Sequence, residues 1–296
     1  MVENILQGEE PSDLLGARRY AERLSPGFEF VSSIYDESDD QEIEKLEFEA
    51  VQDGRTLAQD LWLKVAWLSF FEEDASLRFR FSFGMENYED VAADLPRERL
   101  AARLCDAVFP ESSIVTENPG LRSELCRIIG IADLEYIERI VYFNGPQGGA
   151  QFHHDVERGH LGVIFAQLTG QTAWLALSTE ALLAEIRLFL ESADAERVMS
   201  SVSDPAIKEG LRRYQTHPER LQAELNDSNN ETIEVLLNQV PEFFAQLVRH
   251  GHAYVLAPGD VLLLPQQSMH HCAWHSVYCL GDEMGEGLSF AIREVG

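Results

Sequence analysis

The chain has 296 residues, enough for one large domain or two modest ones, and its 45% hydrophobic and 25% charged residues are ordinary for a globular protein with its own core. The charge is not ordinary: 51 acidic against 23 basic residues give a net charge of −28, a surface that repels phosphate backbones and argues against nucleic acid as a partner. Cys105, Cys126, Cys272 and Cys279 form no C-x-x-C pair and suggest no disulfide framework, the amino terminus has no basic-then-apolar leader, and no apolar run approaches membrane-spanning length, so a reduced, cytoplasmic, soluble protein is expected.

Along the chain, residues 1–35 read as mostly helical with a break at Pro26-Gly27, and residues 36–49 as an acidic, exposed turn and strand edge. Leu61 to Phe71 is apolar and belongs in a core. Leu77, Phe79, Phe81 and Phe83 alternate with Arg78, Arg80 and Ser82, the period of a half-buried strand. Pro96 opens a helix running to about Phe109, and a second helix, Leu121 to Ile129, stops at Gly130. These elements make residues 1–135 an α+β region without chemistry of its own.

From residue 136 the texture is that of short strands separated by turns: Ile140–Phe143, a Gly145–Gly149 turn, a histidine strand over 151–155, Leu161–Leu168, and Thr172–Leu177. Between about 178 and 251 the pattern becomes helical, with Ser178 or Thr179 as a cap and Pro241 splitting the last helix. This block reads as an insertion in a β fold, with the roles of lid, substrate wall or homodimer surface open to it. Strands resume at Ala253–Leu256, Val261–Leu264 and Leu288–Arg293, with a Pro258-Gly259-Asp260 turn between the first two.

Six of the nine histidines fall in two windows, His153, His154 and His160 in one and His270, His271 and His275 in the other. On a strand, His153 and Asp155 share a face while His154 points away. An H-x-D pair joined by a later histidine makes a two-histidine, one-carboxylate facial triad, which holds Fe(II) by one face and leaves the other open. A structural zinc site would instead close four positions with cysteine and histidine, whereas ligand type alone leaves catalytic zinc or manganese open. Strand parity leaves the third ligand open between His270 and His271, since only one of two neighbours faces inward. His154, His160, His271 and His275 singly read as structural histidines or as groups orienting the ligands.

Three segments resemble the JmjC-type cupin oxygenases, Fe(II)- and 2-oxoglutarate-dependent enzymes built on a double-stranded β-helix. They are Tyr142-Phe143-Asn144-Gly145-Pro146 through His153-His154-Asp155; Phe165-Ala166-Gln167-Leu168-Thr169-Gly170; and Pro258-Gly259-Asp260 through Pro265, followed by His270. The resemblance covers residues 136–296 apart from the helical block. It implies a cupin or jelly-roll barrel, and its proline-to-histidine spacing selects His270 as distal ligand, completing a set of His153, Asp155 and His270. It also implies a lysine two residues after the strand-end glycine to grip the far carboxylate of 2-oxoglutarate. This chain has Thr172 there, and a hydroxyl can donate a hydrogen bond without neutralising a charge. Arg293 on the last strand is the candidate for the missing cation, since its fork suits a carboxylate, against the plainer role of a surface arginine paired with an acid.

The activity implied is hydroxylation of a C–H bond in a peptide side chain or small amino-acid-like metabolite, with O₂ consumed and 2-oxoglutarate oxidatively decarboxylated. The Thr172 departure favours a rival, a metal-binding cupin with 2-oxoglutarate-independent dioxygenase or isomerase chemistry. A non-catalytic interaction module that keeps the barrel without a working centre is the third reading.

Overall fold

Alternating apolar and polar residues place much of the chain in antiparallel ladders. The computed structural model describes residues 24, 27–36, 43–68, 76–83, 95–156, 160–225, 227 and 230–295. Strands β1 (Phe28–Asp36), β2 (Ile43–Gln52), β3 (Arg55–Leu68) and β4 (Ser76–Phe83) form an antiparallel meander. Asp53 and Gly54, both at positive φ, make the two-residue turn between β2 and β3.

Two expectations are corrected here. Residues 28–35, read as mostly helical, are strand, because their aromatic and β-branched residues pair along β2. Residues 1–23, 25 and 26 of that expectation, and residues 37–42 of the acidic stretch, lie outside the described residues. The acidic stretch read as an exposed edge becomes an interior strand from Ile43, bonded on both sides. Leu46, Phe48 and Ala50 point into the core while Glu47 and Glu49 take the opposite face. Leu61, Leu63 and Val65 of β3 are fully buried, as their apolar run suggests.

The expected helices follow. α1 (Leu95–Val108) packs on β3, β4 and β5. A 3₁₀ turn (Pro110–Ser112) and the short α2 (Ser113–Thr116) lead to α3 (Pro119–Ile129). The Asn118 side chain accepts from the Leu121 N–H at the start of α3, and Gly130 ends it at φ 85°.

β4 pairs with β5 (Leu134–Asn144), so the meander runs without a break into the second half of the chain. The order continues from β5 to β12 (Gly285–Glu294), β7 (Gly162–Thr169) and β10 (Val261–Ser268). A second ladder runs β6 (Gly149–His153), β11 (His271–Leu280), β8 (Gln171–Ser178) and β9 (Ala253–Leu256). The two join at the β10–β11 hairpin, where Gln266 pairs with Cys272 and Ser268 with His271. Phe165, Trp174, Leu256, Leu264, Ala273 and Val277, drawn from both ladders, share one apolar cluster. The architecture is mixed α+β, dominated by antiparallel sheet with a curled half-barrel, and is compatible with a β-sandwich or jelly roll.

The expected helical block comprises α4 (Thr179–Leu190), α5 (Ala193–Ser201), α6 (Pro205–Thr216), α7 (Leu221–Glu224), α8 (Glu231–Asn238) and α9 (Pro241–Arg249), with Pro241 separating the last two. It packs on the outer side of the second ladder, where Phe152, Leu175, Leu177, Cys272 and Trp274 join Leu182, Leu236 and Phe243 in one core. Each such buried side chain contributes about 1.5–3 kcal/mol. Among the described residues no helix is long and apolar enough to cross a membrane, and all four cysteines are buried and free.

Glu286 on β12 is fully buried, and neither carboxylate oxygen has a hydrogen-bond partner among the described residues. Burial, then the nearby Glu111, pushes its carboxyl up to about 8. Between pH 4.5 and pH 8 the unfolded chain gives up this proton while the native state keeps it, so stability falls as pH rises through that window. Glu286→Gln is expected to raise the melting temperature by several degrees at pH 8, at about 2–4 °C per kcal/mol. At pH 4.5 it should change it little; thermal melts at both pH values check this.

Candidate metal centre

The sheet geometry puts one histidine of each window on neighbouring strands. β6 and β11 are antiparallel partners, and His153 stands directly opposite His275. Their rings lie 4.2 Å apart between centroids. Asp155, two residues beyond His153, turns its carboxylate between them. Its Oδ1 lies 3.6 Å from His153 Nε2 and its Oδ2 3.3 Å from His275 Nε2. The three ligand atoms all lie within 4.8 Å of one another, close enough to share a cation.

Backbone carbonyls select the tautomer that ligation needs. His153 Nδ1 lies 2.6 Å from the Gln151 carbonyl oxygen and His275 Nδ1 lies 3.1 Å from that of Ala273. Each Nδ1–H donates to its own strand two residues back, which leaves each Nε2 lone pair directed at the shared space. His275 is buried, while His153 and Asp155 sit half-exposed at the mouth. Burial, then the neighbouring His153, pushes the His275 imidazole down to about 4 against the pull of Asp155. It is therefore neutral near pH 7, the form a metal requires.

Parity along β11 explains the selection. Ala273, His275 and Val277 face the interior, whereas Cys272 and Trp274 enter the core shared with the helices. His270 lies in the turn between β10 and β11, exposed, and the structure does not bring it to His153 and Asp155. The histidine that joins His153 and Asp155 is His275, five residues further on. His154 points away as its parity requires, edge-on to Trp274 at 4.8 Å, with burial lowering its basicity.

A buried amide ties the centre together. Gln266, fully buried on β10, accepts the Asp155 N–H at 3.3 Å through Oε1 and donates through Nε2 to the Ala273 carbonyl at 3.0 Å. One side chain thus holds the backbone of Asp155 and the carbonyl that also orients His275. On the opposite side of β6, the Phe152 N–H donates to Asn238 Oδ1 at 2.8 Å, and Phe152 stacks on Phe244 of α9. Gly149 permits the close approach of β6 to β11, since a Cβ there would lie 1.9 Å from the Val277 carbonyl oxygen.

Beside the triad opens a small pocket, about 50 Å³ of room for the centres of water-sized molecules, partly open to solvent at its mouth. Its walls include Tyr142, Val163, Phe165, Trp174, Leu264 and Val277, with Asn144 and Ser289 as neutral polar members. Gly287 leaves room for Phe165, whose ring would lie 2.0 Å from a Cβ at that position.

Neither residue expected to hold the cosubstrate carboxylate reaches this pocket. Thr172 is fully buried, donates to Gln167 Oε1 at 2.6 Å and accepts from Trp174 Nε1 at 2.9 Å. Arg293 Nη1 lies 3.8 Å from Glu98 Oε2, on the α1 side of the molecule, and lines no part of the cavity.

His275, read from the sequence as a structural or ligand-orienting histidine, stands among the three candidate ligands, and Gln266 was not singled out at all. The signal for His275 was a strand that the sequence reading did not assign: ten residues rich in strand formers, between the Met269-His270 turn and Gly281 at φ 84°. Gln266 carried no signal of its own.

The sequence matches no protein-family model and no curated protein sequence. The donor set suits a divalent transition metal such as Fe(II), with two imidazoles and one carboxylate on one side and the pocket on the other.

His275→Ala, like His153→Ala, is expected to abolish stoichiometric binding of Fe(II) or Co(II), while His270→Ala retains it; metal analysis after gel filtration decides. Gln266→Leu should keep the fold but weaken metal affinity by about 10- to 100-fold, the usual cost of losing a group that orients a ligand, read by competitive chelator titration.

Proposed function

We propose that this chain is an Fe(II)-dependent oxygenase that uses a 2-oxo acid, 2-oxoglutarate being the one its sequence resemblance implies, to hydroxylate a C–H bond of a peptide side chain or small amino-acid-like metabolite. One observation carries the reading: three ligands of the facial-triad type converge at the mouth of an apolar pocket. The strand order adds support. Successive strands from β5 to β12 divide between the orders β5-β12-β7-β10 and β6-β11-β8-β9, a division compatible with the β-helix that the resemblance implies.

His153, Asp155 and His275 would hold the metal. When bound, Fe(II) would supply the centre at which O₂ takes four electrons, two from cleaving the 2-oxo acid to CO₂ and a shorter acid and two from the substrate C–H bond, one oxygen atom entering the shorter acid and the other the hydroxylated substrate. The protein residues hold and enclose. Nδ1–H bonds to backbone carbonyls keep both imidazoles in the ligating tautomer. Gln266 fixes the turn that carries Asp155. Phe165, Trp174 and Leu264 exclude water from one side of the centre, which strengthens the electrostatic interactions there.

A second reading, a metal-binding cupin whose chemistry needs no 2-oxo acid, is favoured by the engagement of Thr172 with Gln167 and Trp174 rather than with the pocket. Anaerobic addition of 2-oxo acids to the Fe(II)-loaded chain separates the two. The oxygenase is expected to develop a weak visible charge-transfer band that His275→Ala lacks, and to release CO₂ stoichiometrically once O₂ is admitted. Stoichiometric iron with neither band nor CO₂ for any 2-oxo acid would leave the second reading standing.

A further inference from the structure

A ligand that chelates a metal through an α-carboxylate and the adjacent keto oxygen has one group left over, and the pocket walls decide what that group can be. The walls beside this triad are of one kind. Val163, Phe165, Trp174, Leu264 and Val277 are apolar, and Tyr142, Asn144 and Ser289 offer only neutral polar atoms. Among the described residues that line the cavity, the one carboxylate is Asp155, and there is no lysine or arginine.

Resting on the oxygenase reading above, we propose that the 2-oxo acid accepted here carries an uncharged, apolar side chain rather than a second carboxylate. A second carboxylate would be partly withdrawn from water and meet no cation among the described residues that line the cavity, in a chain whose net charge is already −28. Tyr142, Asn144 and Ser289 can donate hydrogen bonds to it without supplying the missing charge.

The aromatic wall is also held in place rather than free to make room. Trp174 donates its indole N–H to Thr172, which donates in turn to the buried Gln167. The Trp174 ring lies 4.7 Å from that of Phe165 and is stacked on His275 at 5.6 Å and 26°. Thr172 is thus committed to fixing the Trp174 ring as an apolar surface beside His275. Such a surface rewards an aliphatic or aryl group and offers a carboxylate nothing.

The test is an anaerobic titration of the full chain loaded with Fe(II), in which 2-oxoglutarate, 4-methyl-2-oxopentanoate and phenylpyruvate are compared. The dissociation constant is read from the charge-transfer band and, independently, by calorimetry on the Co(II)-loaded chain. The apolar acids are expected to bind tighter than 2-oxoglutarate by about tenfold or more. Equal or tighter binding of 2-oxoglutarate overturns this inference and leaves the oxygenase reading intact. Full metal occupancy with no binding of any 2-oxo acid by either readout overturns the oxygenase reading itself and this inference with it.

Discussion

The candidate centre depends on one cross-strand pair, His153 of β6 opposite His275 of β11. Directly opposed residues in an antiparallel ladder stand about 5 Å apart, so register alone delivers two imidazoles to one place. A slip of one residue would turn His275 into the helical core and bring Trp274 inward. That slip is opposed from both faces: Leu175, Leu177, Cys272 and Trp274 are seated among the helices, while Ala273 and Val277 are seated between the ladders. The hydrophobic pattern of two flanking strands therefore sets the ligand geometry, and the polar contacts refine it.

The helical block gains its meaning from this arrangement. Placed on the outer face of β6, β11 and β8, it buries the alternate side chains of the strands that carry the histidines, and Asn238 takes up a backbone N–H of β6. A five-residue strand has few ladder bonds of its own, and this external packing gives it a fixed position. The block thus bears on the centre by holding the strand beneath it; the walls of the cavity come from the two ladders and their turns.

Charge is distributed unevenly. The chain is strongly acidic overall, yet among the described residues that line the cavity Asp155, at the mouth, is the one carboxylate and there is no lysine or arginine. A carboxylate aimed at two imidazole lone pairs makes a place where a divalent cation is welcome. The buried Glu286 lies apart from this, with no hydrogen-bond partner for either oxygen among the described residues, and there the carboxyl keeps its proton to higher pH.

Much of this was legible in the chain. The helix stop at Gly130, a cap at Ser178 or Thr179, the helical block, and the pairing of His153 with Asp155 follow from local patterns of cap chemistry and of periods 3.6 and 2. Local pattern failed at residues 28–35, where aromatic and β-branched residues take their conformation from the partner strand β2. It failed again at the distal ligand. His270, His271 and His275 are equivalent in chemistry, and what separates them is the place where the β10–β11 turn ends and the ladder with β6 begins. Sequence determines which residues can bind a metal and which neighbours share a face; which distant residue completes the set is decided by strand register, a long-range property fixed by packing on both sides of the sheet.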